Sequence, residues 1–475
     1  MSDKNFQFLN VSRSGPDVLP VKIRQAEFRE IYEPFDPAAA SEQSDRCLDC
    51  GNPYCEWKCP VHNYIPDWLQ LVAEGRIEEA AELAHETNSL PEMCGRICPQ
   101  DRLCEGACTL HTGFGAVTIG AVEKYLVDTA FERGWRPDLS HVRKTGYSVG
   151  IVGAGPAGLA CADVLVRNGV AATVYDRYPE VGGLLSFGIP EFKLELGVVR
   201  RRREVFEGMG IEFKLNTNVG TDVTADELLR RHDALFLGMG TYTAVTGRLP
   251  GADAAGVVPA LSFLIGQTNH LYDLGMDHYP HIDLAGKRVV VLGGGDTAMD
   301  CVRTSIRQGA SSVTCVYRRD RSNMPGSQRE VDLAMSEGVQ FQFQANPLEI
   351  QSEDGQVTGL KIERTELKPD ANGSRLVPVP IEGSETVIEA DAVLVAFGYR
   401  PSVPDWVTQL GVRTSQDGRI IVNGTEGGGQ TSNPQVFSGG DMVLGADLVV
   451  TAVAGGRSAA QGILKQLNVA VEAAA

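Results

Sequence analysis

From Gly146 onward the chain alternates short apolar runs, glycine turns and stretches whose apolar positions fall at helical spacing. Residues 147–152 predict a buried strand, 156–168 a helix and 172–175 a second strand. The same strand, glycine turn, helix and strand recur at 288–292, 297–308 and 312–317. A repeat of this kind, roughly one domain apart, predicts two nucleotide-binding folds rather than a solenoid. Nearer the start, Ile65, Trp68, Leu69 and Val72 share one helical face, as do Ile77, Ala80, Ala81 and Ala84, so the first quarter is predicted to be mostly helical.

With 475 residues the chain exceeds what one hydrophobic core usually serves, and about three domains are expected. No uninterrupted apolar run is long enough to span a bilayer. The opening residues show no basic segment leading into an apolar one, so the cytoplasm is the expected location. A formal charge of −18 opposes binding to phosphate backbones and anionic membrane surfaces, which excludes nucleic acid and membrane as expected partners. The four arginines at 200–203 run against that balance and read as a solvated helix face.

Gly153-x-Gly155-x-x-Gly158 follows the first strand and opens the first helix, with Asp176 ending the next strand about 20 residues on, as a dinucleotide fingerprint requires. Gly153 permits the tight turn, Gly155 lets the backbone approach a pyrophosphate, Gly158 allows close helix–strand contact, and Asp176 can accept hydrogen bonds from a ribose. Gly293-x-Gly295-x-x-Ala298 repeats the arrangement, with Asp296 and Thr297 starting its helix. Where an NAD site would place an acid after the following strand, this chain has Arg318 and Arg319, whose forks can bind a 2′-phosphate. That favours NADPH; the competing reading is a surface pair beside Asp320 and Arg321.

Eight of the eleven cysteines crowd the first quarter, as Cys47-x2-Cys50-x4-Cys55-x3-Cys59-Pro and Cys94-x3-Cys98-Pro-x4-Cys104-x3-Cys108. Neither group is built from two C-x2-C knuckles, as zinc modules usually are, whereas C-x3-C-P is familiar from iron–sulfur proteins. Iron–sulfur ligation is favoured, with a structural zinc module as the reading to be excluded. Eight thiolates suffice for two 4Fe-4S clusters. Cys161, Cys301 and Cys315 stand alone in predicted helices or a strand and read as buried structural thiols.

Together with Phe187-Gly-Ile-Pro-Glu-Phe-Lys193, Gly293-Gly-Gly-Asp-Thr-Ala-Met-Asp300 and Tyr317-Arg-Arg319, these motifs make almost the entire chain resemble the small (beta) subunits of bacterial NADPH-dependent glutamate synthases. The resemblance implies an α/β fold with two Rossmann-like dinucleotide-binding domains, the NADPH domain inserted in the FAD domain, preceded by a helical iron–sulfur domain. The expected division is 1–140 for the helical domain, 141–250 with 395–475 for FAD, and 251–394 for NADPH. Residues 390–397 and 433–438 are expected to supply strands as the chain returns to the FAD domain. Gly440 and Asp441 resemble a second FAD motif. The stretch 448–451, with Thr451, leads into a helix whose N-terminus is expected at the flavin, the competing reading being an ordinary core helix. Ala157 and Gly183 are counted with the FAD contacts.

The resemblance also implies a crossed ligand partition, Cys47, Cys50, Cys55 and Cys108 around one cluster and Cys59, Cys94, Cys98 and Cys104 around the other. By analogy with the related dihydropyrimidine dehydrogenase region, Glu123 is an alternative ligand to Cys94. The implied route passes hydride from NADPH to FAD, then single electrons through the clusters to a glutamate synthase large (alpha) subunit that makes glutamate from glutamine and 2-oxoglutarate. The alternative is an NADPH-oxidising subunit of another flavoprotein assembly, of the pyrimidine dehydrogenase or ferredoxin–NADP oxidoreductase type. No acid–base constellation is evident, so no catalytic side chain is nominated.

Overall fold

The computed structural model describes residues 6–247, 249–370, 373, 376–423 and 428–470. Residues 1–5, on which the expectation of no leader partly rests, lie outside them. No helix among the described residues is long and apolar enough to cross a membrane.

The first quarter folds into short helices, chiefly Pro37–Ser44, Ile65–Ala73, Ile77–Thr87, Pro91–Ile97 and Ile119–Glu132. The apolar faces expected from their spacing are buried, Trp68 completely, with its indole N–H donating to Asn63 Oδ1 at 3.0 Å. Loops carrying cysteines leave backbone carbonyls that no ladder satisfies. Arg46 answers four of them: wholly buried, its guanidinium donates to the carbonyls of Val11, Phe114, Gly115 and Ala116 at 2.8–2.9 Å.

Two parallel five-stranded sheets follow. The first runs Val436–Ser438, Ala234–Leu237, Ser148–Val152, Ala171–Tyr175, Glu212–Lys214; the second runs Val257–Pro259, Ala392–Val395, Arg288–Leu292, Ser312–Tyr317, Gln340–Phe343. The strands expected around each glycine turn fall within a residue of their expected places, as do the helices Pro156–Arg167 and Asp296–Arg307. Each turn thus sits at the carboxyl end of a central strand, where open parallel sheets bind ligands.

Of the two returning strands, Val436–Ser438 joins the first sheet beside Ala234–Leu237. Ala392–Val395 does not: it lies inside the second sheet, between Val257–Pro259 and Arg288–Leu292. Its four residues are all buried, and a fully apolar run carries no mark of which sheet it completes. The chain crosses between sheets on a two-stranded ribbon, Thr241–Ala244 against Tyr399–Pro401. An antiparallel sheet of Ala345–Glu353, Gln356–Pro369, Leu376–Pro380 and Thr386–Glu389 is added to the second unit.

The arginine run at 200–203 is a solvated face only in part: the Arg200 side chain is 45% exposed, that of Arg202 only 1%. Arg202 is buried, donates to both Glu92 oxygens and stands 2.8 Å from His85 Nε2. Arg201 pairs with Asp128, while Arg200 and Arg203 share Glu180. The run lies on helix Leu196–Gly208, where Arg201 and Arg202 meet acids of the cysteine module, Asp128 and Glu92.

Candidate functional site

At the first turn, packing explains two of the three glycines. Gly153 has φ +106°, and an added Cβ would meet the Gly238 carbonyl oxygen at 2.4 Å; at Gly158 it would stand 1.9 Å from the Gly153 carbonyl. Gly155 and Gly295 are different: nothing lies within 4 Å of an added Cβ. Protein packing does not demand glycine there, and the space left open at each turn is the cradle that a pyrophosphate approaching the backbone needs.

Gly153 and Gly155 line a cavity of about 1280 Å³, larger than the pockets typical of single drug-sized ligands. Ala157, Asp176, Gly183 and Asp441 line it with them, and Asp296 and Thr297 line it from the second unit. So do Ile97, Cys98 and Pro99 from the cysteine module, and Leu448, Val449 and Ala452 from the first turn of helix Val449–Gln466. Gly158, Gly440, Thr451, Gly293, Gly295, Arg318 and Arg319 are not on its wall. Gly440 (φ +65°) packs on Ala157, and the Thr451 hydroxyl donates to the Leu448 carbonyl at 2.7 Å.

Asp176 is buried, with one oxygen accepting the Ala154 N–H at 2.6 Å and the other the Tyr178 N–H at 2.9 Å. Burial raises its pKa, and those two bonds oppose the rise. Each oxygen keeps a lone pair for a further donor. Burial pushes Asp441 up to about 7 against the pull of Thr241, whose hydroxyl donates at 3.3 Å.

Arg318 and Arg319 follow strand Ser312–Tyr317. Arg318 is exposed, and Arg319 keeps a buried Nε with no hydrogen-bond partner. Of the two, the exposed Arg318 guanidinium is the one open to an anionic ligand.

Lys193 was within a recognised motif but carried no expected role. Its ammonium lies 2.8 Å from Asp300 and 3.7 Å from Glu330. Burial works against that charge, and the two acids overcome it and raise the lysine's pKa. Asp300 is itself pushed up to about 6 by burial, with Lys193 opposing. The pair fastens the segment after the first turn onto the helix of the second. Three arginines, 24, 303 and 307, surround the buried Glu337 at 2.7–3.2 Å, and Arg303 and Arg307 lie over the Phe192 ring. A local reading misses these groups because each partner is remote in sequence.

Cys47, Cys50, Cys55 and Cys108 line one small cavity with Leu69, Val117 and Ile119. Burial pushes Cys47 and Cys55 up to about 12. Cys98 is raised first by its hydrogen bond with Cys94, and Cys104 by burial and then by Glu105, Glu123, Cys59 and Cys55, so Cys104 stands between the two expected groups. The Glu123 carboxyl is raised by burial and by Cys94, and it accepts a bond from Asn88 at 3.4 Å. All eight thiols are outside disulfides. Among the described residues no group of three or more His, Cys, Asp or Glu is arranged as a metal-ion site, so the fit rests on donor chemistry. Eight thiols with no histidine among them, half enclosed by apolar walls, are soft donors whose deprotonation a cationic iron–sulfur core would repay. Cys161, Cys301 and Cys315 are buried apart from them, as expected.

Residues 147–472 match the family model described as pyridine nucleotide-disulphide oxidoreductase. Residues 24–135 match that described as "Dihydroprymidine dehydrogenase domain II, 4Fe-4S cluster". The chain is 60% identical over 473 residues to the glutamate synthase (NADPH) small chain of Escherichia coli (strain K12), covering 99% of this chain and 100% of the relative. It is 58% identical over 471 residues to that of Halomonas elongata, covering 98% and 99%. Among solved structures it is similar to Mycobacterium tuberculosis FprA in complex with NADPH, at 20% identity and a TM-score of 0.57, over 69% of this chain and 85% of that one. At that identity the likeness speaks to the fold.

Proposed function

The chain belongs to the glutamate synthase (NADPH) small-chain family, and from that premise we propose that it is the electron-input subunit of such an enzyme. It is an NADPH-dependent oxidoreductase carrying FAD and 4Fe-4S chemistry. Its electrons go to a large subunit that makes L-glutamate from L-glutamine and 2-oxoglutarate, in the cytoplasm. The observation that carries this reading is the shared cavity walled by the first glycine turn, by Asp296 and Thr297 at the start of the second turn's helix, and by Cys98 and Pro99 of the cysteine module.

In this assignment FAD is held by Gly153, Gly155, Ala157, Gly158, Asp176, Gly183, Gly440, Asp441 and Thr451, in a domain of 141–250 and 395–475. NADPH is held by Gly293, Gly295, Asp296, Thr297, Arg318 and Arg319, within 251–394. Two clusters are held in the first 140 residues, one by Cys47, Cys50, Cys55 and Cys108, the other by Cys59, Cys94, Cys98 and Cys104. The bound groups supply the exchange of an electron pair for single electrons.

The chain's own residues position and insulate. Gly155 and Gly295 leave the backbone bare where phosphates approach, and the first turn of helix Val449–Gln466 presents unpaired N–H groups to the cavity, which favours negative charge there. Asp176 turns its remaining lone pairs toward a ribose. Lys193 holds its proton between Asp300 and Glu330, offsetting part of the negative charge that these two acids bring to the cavity wall. Anaerobic titration with NADPH, followed optically and by electron paramagnetic resonance, tests the assignment. Flavin and two distinguishable iron–sulfur signals are expected, with glutamate formed only when the large subunit is added. Zinc in place of iron, or glutamate formation independent of this chain, overturns it.

A further inference from the structure

Between Cys98 and Cys104 the chain makes a short turn, Gln100–Arg102, whose last side chain leaves the cysteine module altogether. Arg102 Nη1 donates to the Pro325 carbonyl at 2.6 Å, and Nη2 lies 3.4 Å from Asp296 Oδ2. Asp296 belongs to the second glycine turn, and Pro325 to the segment packed against it. Asp296 is the first residue of helix Asp296–Arg307, and its other oxygen accepts the Ser327 N–H at 2.9 Å. Gly326 donates its N–H to the Gly294 carbonyl at 3.0 Å. Segment 325–327 therefore clamps the turn, and Arg102 grips both clamp and turn.

The base of this arm is rigid. Gln100 Nε2 donates to the Gly95 carbonyl at 3.0 Å, and the Gly106 N–H returns to the Gln100 carbonyl at 3.0 Å. Its tip is not: the Arg102 side chain is 43% exposed, so it can change partners at little cost to the fold.

Charge makes the arm necessary. A helix N-terminus that receives a pyrophosphate already has a carboxylate on it, Asp296, and two anions at one end repel. A guanidinium with several donors can serve both. We propose that Arg102, carried by the cysteine module, is a binding residue of the NADPH site, offsetting Asp296 and engaging the pyrophosphate at the second glycine turn. This rests on the assignment of NADPH to that turn. The nucleotide site is then completed from outside its own domain, by the loop between Cys98 and Cys104.

The test compares two probes on the oxidised holoenzyme by calorimetry: NADP+, and adenosine 2′-monophosphate, which keeps the 2′-phosphate but has no pyrophosphate. Arg102→Ala is expected to weaken NADP+ about tenfold, as for loss of one charge-assisted hydrogen bond. It leaves adenosine 2′-monophosphate within about twofold, since that probe reports on Arg318 and Arg319. Arg102→Lys, which keeps the charge without the fork, falls between. Iron content and flavin content stay at the wild-type level in both variants. Unchanged NADP+ binding, or equal weakening of both probes, overturns the proposal while leaving the NADPH assignment standing. Wild-type protein that binds neither probe overturns the assignment and the proposal with it.

Discussion

Asp176 follows the first glycine turn buried and bonded to two backbone N–H groups, whereas Arg318 and Arg319 follow the second with one exposed and the other carrying an orphaned Nε. Over the first turn lies helix Val449–Gln466, so close to Pro156–Arg167 that an added Cβ at Gly456 would stand 2.0 Å from the Ala157 carbonyl. Over the second lie charged groups from elsewhere in the chain: Arg102 on Asp296 and Lys193 on Asp300. Close packing holds the helices around the first turn, and ion pairs fasten the second. Such a contrast suits a flavin that stays through many turnovers beside a nucleotide that must leave after each one.

The sharpest break in that comparison comes at the third position of each turn, glycine in one and alanine in the other. Gly158→Ala drives a methyl to within 1.9 Å of the Gly153 carbonyl, a backbone atom that cannot swing aside. The expected cost is at least about 3 kcal/mol, with protein purified free of flavin; visible absorbance and thermal unfolding check both. A stable, fully flavinated variant means the first turn is not the tightly packed one.

Next in size is the double variant Arg318→Ala/Arg319→Ala. Loss of two charge-assisted contacts to a 2′-phosphate raises KM for NADPH by about 100-fold and leaves NADH nearly unaffected, with flavin content unchanged. Steady-state kinetics with both nucleotides decides it. A preserved preference for NADPH removes these arginines from the site.

The two glycine turns and the strand ends that follow them were legible in the sequence because each is fixed by chemistry local to a turn or a strand end. The cysteines were legible for the same reason. Residues acting through distant partners were not. Arg202 sits in a run that looks solvated, yet its charge is met by Glu92, 110 residues away. Glu337 gives no local hint that three arginines will surround it. Ala392–Val395 could complete either sheet, because a strand buried on both faces has no polar side to orient it. The antiparallel addition did leave a sign that went unread: Asp354-Gly355, both at positive φ, joins Ala345–Glu353 to Gln356–Pro369 in the manner of a tight hairpin.

A pH effect separates the sites further. Burial holds Asp441 at about 7 against an ordinary 3.8, so flavin-free folded protein keeps a proton there that the unfolded chain has already lost. The folded state binds more protons through that window, and stability therefore falls as pH rises from about 4 to about 7, then levels. Asp441→Asn abolishes this dependence. Its stabilising effect on the flavin-free protein is expected to be absent near pH 4, to grow through the window and to stay constant above it. Unfolding midpoints measured across that range give the curve, and a pH-independent difference would falsify a perturbed carboxyl at this position.

The smallest effect is the mirror of the largest. Ala298, buried in the second turn's helix, already carries the methyl that the first turn rejects. Ala298→Gly removes no clash; it returns backbone freedom to the unfolded chain and deletes one buried methyl. The cost is that of glycine for alanine inside a helix, about 1 kcal/mol, appearing as a fall of a few degrees in Tm with NADPH kinetics and flavin content unchanged. The reciprocal outcomes at 158 and 298 follow from one difference in distance between helix and turn. If Ala298→Gly cost as much as Gly158→Ala, the second turn would be as tightly packed as the first, and its openness to an exchanging nucleotide would need another cause.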